Sequence, residues 1–496
     1  MSTALMWLLD GIVNIPATQA RVSDLTLDSR EVRPEGLFFA LPGRNSHGLQ
    51  FAADAAARGA SVVLFEPGDF APPALPAGVF CAPVPGLTNV VGRIADRFFN
   101  WPSSHLHITG ITGTNGKTTC AFLLAQCLER VGIAAAYVGT IGWGRPAALT
   151  GASHTTPDAI TLHRTLAQLR ATGVRQVAME VSSHALDQGR VDGVRFHTGA
   201  LTNLTRDHLD YHGTMARYEE AKAKLFASRD LKHIVLNIGD EFGRKLAHGY
   251  SGGASLIAVW VGAGESGWLA DRSLNATQVR IDPRGIAMEL DGSFGRLDVH
   301  TQLMGRFNAE NSLVVIACLL SLGVPLTDAA AALAECKPAP GRMEVVNTEA
   351  RNQPVVVVDY AHTPDALAKA LSAAREHCKG VLWCVFGCGG DRDKGKRAVM
   401  GAIADELADQ IIVTDDNPRS EDPQAITAGI VSGIKSRSVR VIHDRGEAIA
   451  AALQGARPLD LVLIAGKGHE DYQIYGQTRR AFSDRSEAKR LLGAAA

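Results

Sequence analysis

The decapeptide Gly110-Ile111-Thr112-Gly113-Thr114-Asn115-Gly116-Lys117-Thr118-Thr119 joins an apolar, strand-like run (His105–Ile111) to a helix-like run (Thr118–Val131). A glycine-rich turn in that position aims successive backbone N–H groups at one point, with a helix N-terminus behind them, and this suits a polyphosphate. Lys117 would reach the β and γ phosphate oxygens, and Thr118 would offer its hydroxyl to Mg²⁺. The usual spacing calls for glycine where this chain has Ile111, with Gly110 and Gly113 near it on either side. ATP with Mg²⁺ is the expected cofactor. The loop alone does not separate a ligase from an ATPase, a kinase or a GTPase, because the cradle is shared and other groups decide the reaction.

Two such groups stand at the ends of other strand-like runs. Glu180 closes the run in Met179-Glu180-Val181-Ser182-Ser183-His184, and His208 follows another in Asn203-Leu204-Thr205-Arg206-Asp207-His208-Leu209-Asp210-Tyr211-His212. Sheets of alternating strands and helices bind ligands at the carboxyl ends of their strands. A carboxylate and an imidazole there could complete a Mg²⁺ shell with Thr118 and phosphate oxygens, although His is an unusual Mg²⁺ ligand. His208 and His212, four apart, also invite a zinc reading. The residues between them are not the metalloprotease pattern, and no Cys stands nearby.

The elements that must position these groups follow from patterning. At 496 residues the chain is too long for one ordinary core and is expected to fold as roughly three domains. Residues 1–100 hold short β-like runs (Gly36–Leu41, Ser61–Phe65) around a helix-like Phe51–Arg58, and a proline-rich stretch, Pro72–Pro85, interrupts them. The pattern resets at Trp101-Pro102-Ser103-Ser104. Residues 101–337 then alternate strand-length runs (Gln176–Val181, Gly199–Leu204, His233–Ile238) with helix-patterned segments such as Met215–Ser228, which predicts a mostly parallel sheet covered by helices. A hinge is expected at Lys337-Pro338-Ala339-Pro340-Gly341. Residues 338–496 repeat the rhythm at Pro354–Asp359, Val381–Phe386, Gln410–Thr414, Val439–Ile442 and Leu459–Ala465, which predicts a Rossmann-like domain. The fold class is α/β throughout.

Composition excludes several alternatives. A net charge of -1 with no long basic run gives no electrostatic footprint for nucleic acid or an anionic membrane. Eight cysteines with no CxxC pair indicate reduced thiols rather than a disulfide framework or zinc ribbon. The apolar run Ala4–Leu9 has no basic residue before it and Asp10 directly after it, a poor signal peptide, and no uncharged stretch approaches the roughly 20 residues that cross a bilayer. No membrane insertion is expected; the cytosol is the expected compartment, and a monomer the expected state.

Taken together, the loop Gly113–Thr119, the segment Met179–His184, the run Thr202–Gly213, Gly305-Arg306-Phe307-Asn308-Ala309-Glu310-Asn311, Gly341-Arg342-Met343-Glu344 and Asp359-Tyr360-Ala361-His362-Thr363-Pro364 resemble the Mur ligases over about residues 27–470. The resemblance implies a small UDP-binding domain, a central ATPase domain and a C-terminal Rossmann-like domain that binds an amino acid. It implies that ATP phosphorylates a carboxylate and that an amine displaces the phosphate. By the same resemblance Gly113, Thr114, Asn115, Gly116, Lys117, Thr118 and Thr119 would cradle the phosphates. Asn308, Asn311, Arg342 and Asp359 would surround the adenine, the ribose or the γ-phosphate, with His362 near the nucleotide. Lys222, in Tyr218-Glu219-Glu220-Ala221-Lys222, would be carbamylated and join Thr118, Glu180 and His208 as a Mg²⁺ ligand. Read from the sequence alone, Lys222 is a solvated charge on a helix face.

Substrate selection is implied in the same way. Leu27 and Ser29 with Arg44, Asn45 and Ser46 would hold the uridine, and Thr155, Thr156, Ser182, Gln188 and Arg190 a UDP-muramoyl dipeptide; before the two threonines stands His154 where the family often has Asn. Asp416-Asn417-Pro418-Arg419 matches the signature of members that take meso-diaminopimelate, with Arg392, Gly466 and Glu470 completing that pocket. The chemistry agrees: a guanidinium fork binds the distal carboxylate of diaminopimelate bidentately and repels the ammonium of lysine. Lysine-adding and folylpolyglutamate-synthase-like ligases are the alternatives, the latter without Asp416–Arg419.

Overall fold

The structure, a computed structural model, describes residues 2–43, 46–68, 73–151, 154–264, 270–282, 285–346, 352–436 and 438–493. Arg44 and Asn45 lie outside the described residues. The chain forms two compact units: Met1–Lys117 with Leu128–Leu236 and Asp240–Leu256, and Thr118–Cys127 with Asn237–Gly239 and Ile257–Ala496.

The first unit opens with a short helix, Leu5–Leu9, whose Leu5, Leu8 and Leu9 are buried. They pack with the sheet β1 (Asp24–Thr26), β2 (Gly36–Ala40), β3 (Ala60–Phe65) and β4 (Phe80–Pro83). The strands are parallel in the order β1-β2-β3-β4. The proline-rich stretch therefore contains a strand that the sequence reading left out. β4 is the edge strand, and an edge tolerates Pro83 because one side of it needs no ladder donor.

The second sheet of this unit contains β5 (His107–Thr112), β6 (Ala135–Gly139), β7 (Gly142–Arg145), β8 (Ala148–Thr150), β9 (Gln176–Glu180), β10 (Phe196–Leu201) and β11 (His233–Asn237). The order is β8-β7-β6-β9-β5-β10-β11. β6, β9, β5, β10 and β11 run parallel, and the hairpin β7–β8 adds an antiparallel edge. β5 comes first in the chain yet lies between β9 and β10, so successive connections leave it on opposite sides. Open sheets bind ligands outside the carboxyl ends of their strands at such a point.

The second unit carries β12 (Ser255–Val261), β13 (Arg272–Asp282), β14 (Gly285–Gly292) and β15 (Leu297–Thr301). β12 and β13 are parallel and β13–β15 form an antiparallel meander, an element the sequence reading did not resolve. A second sheet follows: β16 (Glu344–Val345), β17 (Val355–Asp359), β18 (Leu382–Phe386), β19 (Gln410–Val413), β20 (Val439–Val441) and β21 (Leu461–Ala465). It is ordered β16-β17-β21-β18-β19-β20 and is parallel except for β16. Its two faces bury separate apolar clusters, which is why these strands read as nearly continuous apolar runs. A hairpin, β22 (Tyr472–Tyr475) with β23 (Thr478–Ala481), follows it. All eight cysteines are free thiols. Among the described residues no helix is long and apolar enough to cross a membrane.

Candidate functional site: a phosphate loop, a buried lysine and a polar pocket

The glycine-rich loop begins where β5 ends. Ile111 belongs to the strand, opposite Glu180 in the parallel ladder, so the departure from the usual glycine spacing falls on a core residue and not on the turn. The turn itself uses Gly113 (φ 148°) and Gly116 (φ 85°), backbone that L side chains rarely adopt. A Cβ at Gly113 would run into the Thr202 hydroxyl. The segment after β10 supports the loop. Asn203 O accepts from Thr114 N (2.9 Å) and Asn203 Oδ1 from Asn115 N (3.0 Å), while Thr202 Oγ1 donates to Asn115 O (2.6 Å). Lys117 Nζ donates to Gly113 O and Thr114 O, both at 2.8 Å, an ammonium folded over its own loop. Thr118 and Thr119, buried, follow in the first turn of the helix Lys117–Arg130.

Lys222 is not a solvated charge. The helix Met215–Ala223, whose N-terminal Thr214 hydroxyl accepts from Arg217 N, buries it to 1% exposure, and its Nζ donates to Gly113 O at 2.7 Å. Nζ lies 4.6 Å from the centre of the Tyr218 ring. Burial drives its pKa well below the ordinary lysine value; nearby Lys117 pushes the same way and Asp207 opposes. The amine is thereby shifted toward its neutral, nucleophilic form. The sequence pattern failed because the helix turns this position toward the loop, which periodicity over one short helix does not reveal.

At the end of β9, Glu180 is 1% exposed and held by the Tyr137 hydroxyl and by Thr140 N (2.8 Å). The Thr140 hydroxyl lies 3.1 Å from that of Thr155 and 3.2 Å from Glu180 Oε2. Thr156 Oγ1 donates to Glu180 O (2.9 Å) and accepts from Ser182 N (3.1 Å), and Arg190 Nη1 donates to Thr156 O (3.1 Å). Gln188 Oε1 accepts from Arg190 Nε at 2.9 Å. Ser182 caps the helix Ser183–Asp187.

Lys117, Lys222, Thr155, Thr156, Ser182, Arg190 and His208 line one cavity of about 300 Å³, together with His154, Ser183, His184 and Tyr218. His208 is a left-handed residue (φ 53°) beside its neighbour Asp207. The His184 ring lies edge-on to it at 4.9 Å. Burial lowers the pKa of His208, and that of His184 to about 4, with the other imidazoles adding to the effect on His184. The His184 ring is thereby neutral near pH 7. His184 and Tyr218 are site residues the sequence reading missed, although both sit within the motifs it quoted. His212 Nε2 is 3.0 Å from Ser183 Oγ.

Among the described residues no group of three His, Cys, Asp or Glu side chains gathers as a metal site, which leaves the zinc reading of His208 and His212 without support. The donor set does fit Mg²⁺, which keeps several waters and takes one or two carboxylates with phosphate oxygens. The Glu180 carboxylate and a carbamate on Lys222 would be such oxygen donors.

Leu27 and Ser29 are not part of this cavity. Leu27 packs against the β1–β4 core and Ser29 is buried in a turn begun by Asp28. Ser46 is exposed, and its carbonyl accepts from Gly43 N.

In the second unit, the helix Phe307–Ser321 buries Asn308 and Asn311. Asn308 Nδ2 donates to Met304 O and Asn311 Nδ2 to Asn308 Oδ1, both at 2.7 Å, so their amide N–H groups are engaged within the protein. The Arg342 guanidinium stacks 4.3 Å from the centre of the Tyr360 ring. Asp359, at the end of β17, accepts from Met343 N (2.7 Å) and Ala361 N (2.8 Å). Burial raises its pKa against the pull of Arg342 and both backbone donors. His362 is exposed, with Nδ1 2.9 Å from Tyr360 O.

The run Asp416–Arg419 leaves the end of β19. Asp416 and Asn417 are buried, and Arg419 is left-handed (φ 54°) with its backbone bonded to Ile474 and Gly476 of the hairpin. Arg419 Nη1 donates to Gly390 O at 2.7 Å. Glu470 Oε2 accepts from Asn417 Nδ2 at 3.0 Å, and the Asp416 carboxylate lies so close to Gly466 that a Cβ there would stand 2.7 Å from it. Arg392 is exposed, 3.5 Å from Asp391 O. Two buried cations that the sequence reading missed support this run. Arg445 forks onto Asp484 at 2.7 and 2.8 Å and donates to Asp415 O and Ala465 O; Lys467 pairs with Glu470 at 2.9 Å.

The chain matches three family models: Mur ligase family, catalytic domain, over residues 21–99; Mur ligase middle domain over 111–319; and Mur ligase, glutamate ligase domain over 341–468. It is 47% identical to the UDP-N-acetylmuramoyl-L-alanyl-D-glutamate--2,6-diaminopimelate ligase of Alkalilimnicola ehrlichii over 95% of each chain. It is also 47% identical to the ligase of the same name from Xylella fastidiosa over 95% of this chain and 94% of that one. A solved structure of a ligase of that name superposes with a TM-score of 0.70 at 34% identity, covering 99% of both chains. The folylpolyglutamate synthase of Mycobacterium tuberculosis, solved with ADP and AMPPCP, shares the fold at 18% identity and TM-score 0.63, over 82% of this chain and 96% of that one. With three models covering most of its length and relatives near half identity across it, this chain belongs to the Mur ligase family.

Proposed function

We propose that the protein is an ATP-dependent ligase that adds meso-2,6-diaminopimelate to the D-glutamyl carboxylate of UDP-N-acetylmuramoyl-L-alanyl-D-glutamate, a step of peptidoglycan synthesis. The observation that carries this reading is the coexistence of the phosphate loop with Asp416–Arg419 in a chain of which relatives with this activity in their name cover 95%. In this reading residues 1–100 bind the UDP-sugar, 101–337 bind ATP, and 338–496 bind the amino acid.

A carboxylate is a poor electrophile, so its oxygen first takes the γ-phosphoryl group of ATP to give an acyl phosphate and ADP. The diaminopimelate amine attacks the acyl carbon, loses a proton, and expels phosphate as the amide forms. The protein's task is to position the reactants and offset phosphoryl charge. Lys117 leaves Gly113 O and Thr114 O to meet the phosphate oxygens. Mg²⁺ would supply further charge neutralisation, held by Thr118, Glu180, His208 and carbamylated Lys222. Thr155, Thr156, Ser182, Gln188 and Arg190 would hold the muramoyl dipeptide, and the fork of Arg419 with Arg392 the distal carboxylate of diaminopimelate. Phosphate release by the purified protein should require the UDP-muramoyl dipeptide and diaminopimelate together. Release that ignores both, or that prefers lysine or a folate acceptor, overturns this reading.

A further inference from the structure

Beneath the proposed amino-acid pocket lies a lysine to which neither the motifs nor the reading above gives a part. Lys467 is 0% exposed. An ammonium out of water is costly unless partners meet its charge and its donors. Lys467 Nζ meets Glu470 Oε2 at 2.9 Å and Asn417 Oδ1 at 3.3 Å, and lies 5.2 Å from the centre of the Tyr472 ring. Asn417 closes the network, since its Nδ2 donates to the same Glu470 Oε2 at 3.0 Å while its Oδ1 also accepts from Ile474 N at 3.0 Å. One oxygen of Glu470 thus takes two donors. Its Oε1 takes none among the described residues.

The charges at this place sum in an informative way. Asp416 and Glu470 contribute two carboxylates, and Arg392, Arg419 and Lys467 three cations. A set with one cation in excess matches an amino-acid end that carries a carboxylate beside its ammonium. Without the Lys467 charge that excess is gone, which shifts the preference toward a ligand with an ammonium and no carboxylate.

We propose that Lys467 is a positioning residue for amino-acid selection: it pins Glu470 through Oε2, leaves Oε1 to accept from the ammonium of the incoming amino acid, and adds the positive charge that favours a zwitterionic end over a bare amine. This rests on the diaminopimelate reading above.

Steady-state kinetics of the full chain with diaminopimelate and with lysine test it. Lys467→Met should raise the KM for diaminopimelate about tenfold, and raise the lysine-to-diaminopimelate ratio of kcat/KM about as much, with the KM for ATP and for the UDP-muramoyl dipeptide within about twofold of wild type. Lys467→Arg, which keeps the charge, should restore the ratio. An unchanged ratio in Lys467→Met, or a parallel rise in all three KM values, overturns the proposal. If Lys467→Met does not fold, Lys467→Gln keeps a donor for Glu470 and loses only the charge; wild-type discrimination in that variant overturns the proposal equally. A wild-type enzyme that ignores diaminopimelate overturns the functional reading itself. One that uses diaminopimelate while the variants discriminate as before overturns the role of Lys467 alone.

Discussion

Lys117 and Lys222 donate to the same atom, Gly113 O, at 2.8 and 2.7 Å. Burial drives the pKa of Lys222 down, and the Lys117 ammonium on the same carbonyl pushes the same way. An uncharged amine there would add CO₂ and, on losing a proton, become a carbamate whose oxygens a cation could use. With ¹³C-labelled bicarbonate the wild-type protein is expected to show a carbamate carbon resonance that Lys222→Met lacks, and Lys222→Met should lose about a hundredfold or more in kcat. A full-rate Lys222→Met enzyme would end the carbamate argument.

Lys117→Met should lower kcat by about a thousandfold, because the side chain that offsets developing phosphoryl charge is gone. Two of its hydrogen bonds are to loop carbonyls, which water can replace, so the thermal midpoint should move far less than kcat. A large fall in that midpoint would mark Lys117 as structural.

Arg419→Ala should raise the KM for diaminopimelate far more than that for ATP, by about tenfold to a hundredfold, and Arg419→Lys should not rescue it because a single ammonium cannot fork onto a carboxylate. Equal effects on both KM values would mean that the bond of Arg419 Nη1 to Gly390 O is its whole role.

Acid should destabilise the fold in a defined window. Burial holds His163, 0% exposed, at a pKa of about 4, and His197, flanked by the rings of His107 and His233, at about 4 as well. In the unfolded chain these rings take a proton near pH 6.5. The unfolded state therefore binds more protons between about pH 6.5 and 4; stability is full above that range and falls as pH drops through it. Asp96, raised to about 6 by burial, works in the opposite sense as it takes up its proton in the folded state. Thermal midpoints measured from pH 7 to 5 should fall, and less steeply for His163→Gln. The same slope in both proteins would remove His163 from the account.

Much of the site was legible because local chemistry announces itself. Gly113, Gly116 and Lys117 were legible in residue type and spacing, and they form one turn between a strand and a helix. The parallel strands were legible because burial on both faces writes them as continuous apolar runs, as at Val356, Val357 and Val358. The meander β13–β15 was not, because polar residues alternate with Leu274, Ala276 and Met288 and blur a short-range pattern.

What the sequence determined by itself was a glycine-rich turn ending in a lysine between a strand and a helix and the α/β class; the kind of amino acid to expect came from the resemblance carried by Asp416–Arg419. Only the tertiary structure decided which charges are buried. Lys222, Lys467 and Arg445 look like ordinary surface cations when read along the chain. Each has a distant partner: the Gly113 carbonyl lies 109 positions from Lys222, Asn417 lies 50 from Lys467, which also meets Glu470 nearby, and Asp484 lies 39 from Arg445. The cost of burying a charge, and hence the shift in its chemistry, depends on groups that no local window contains.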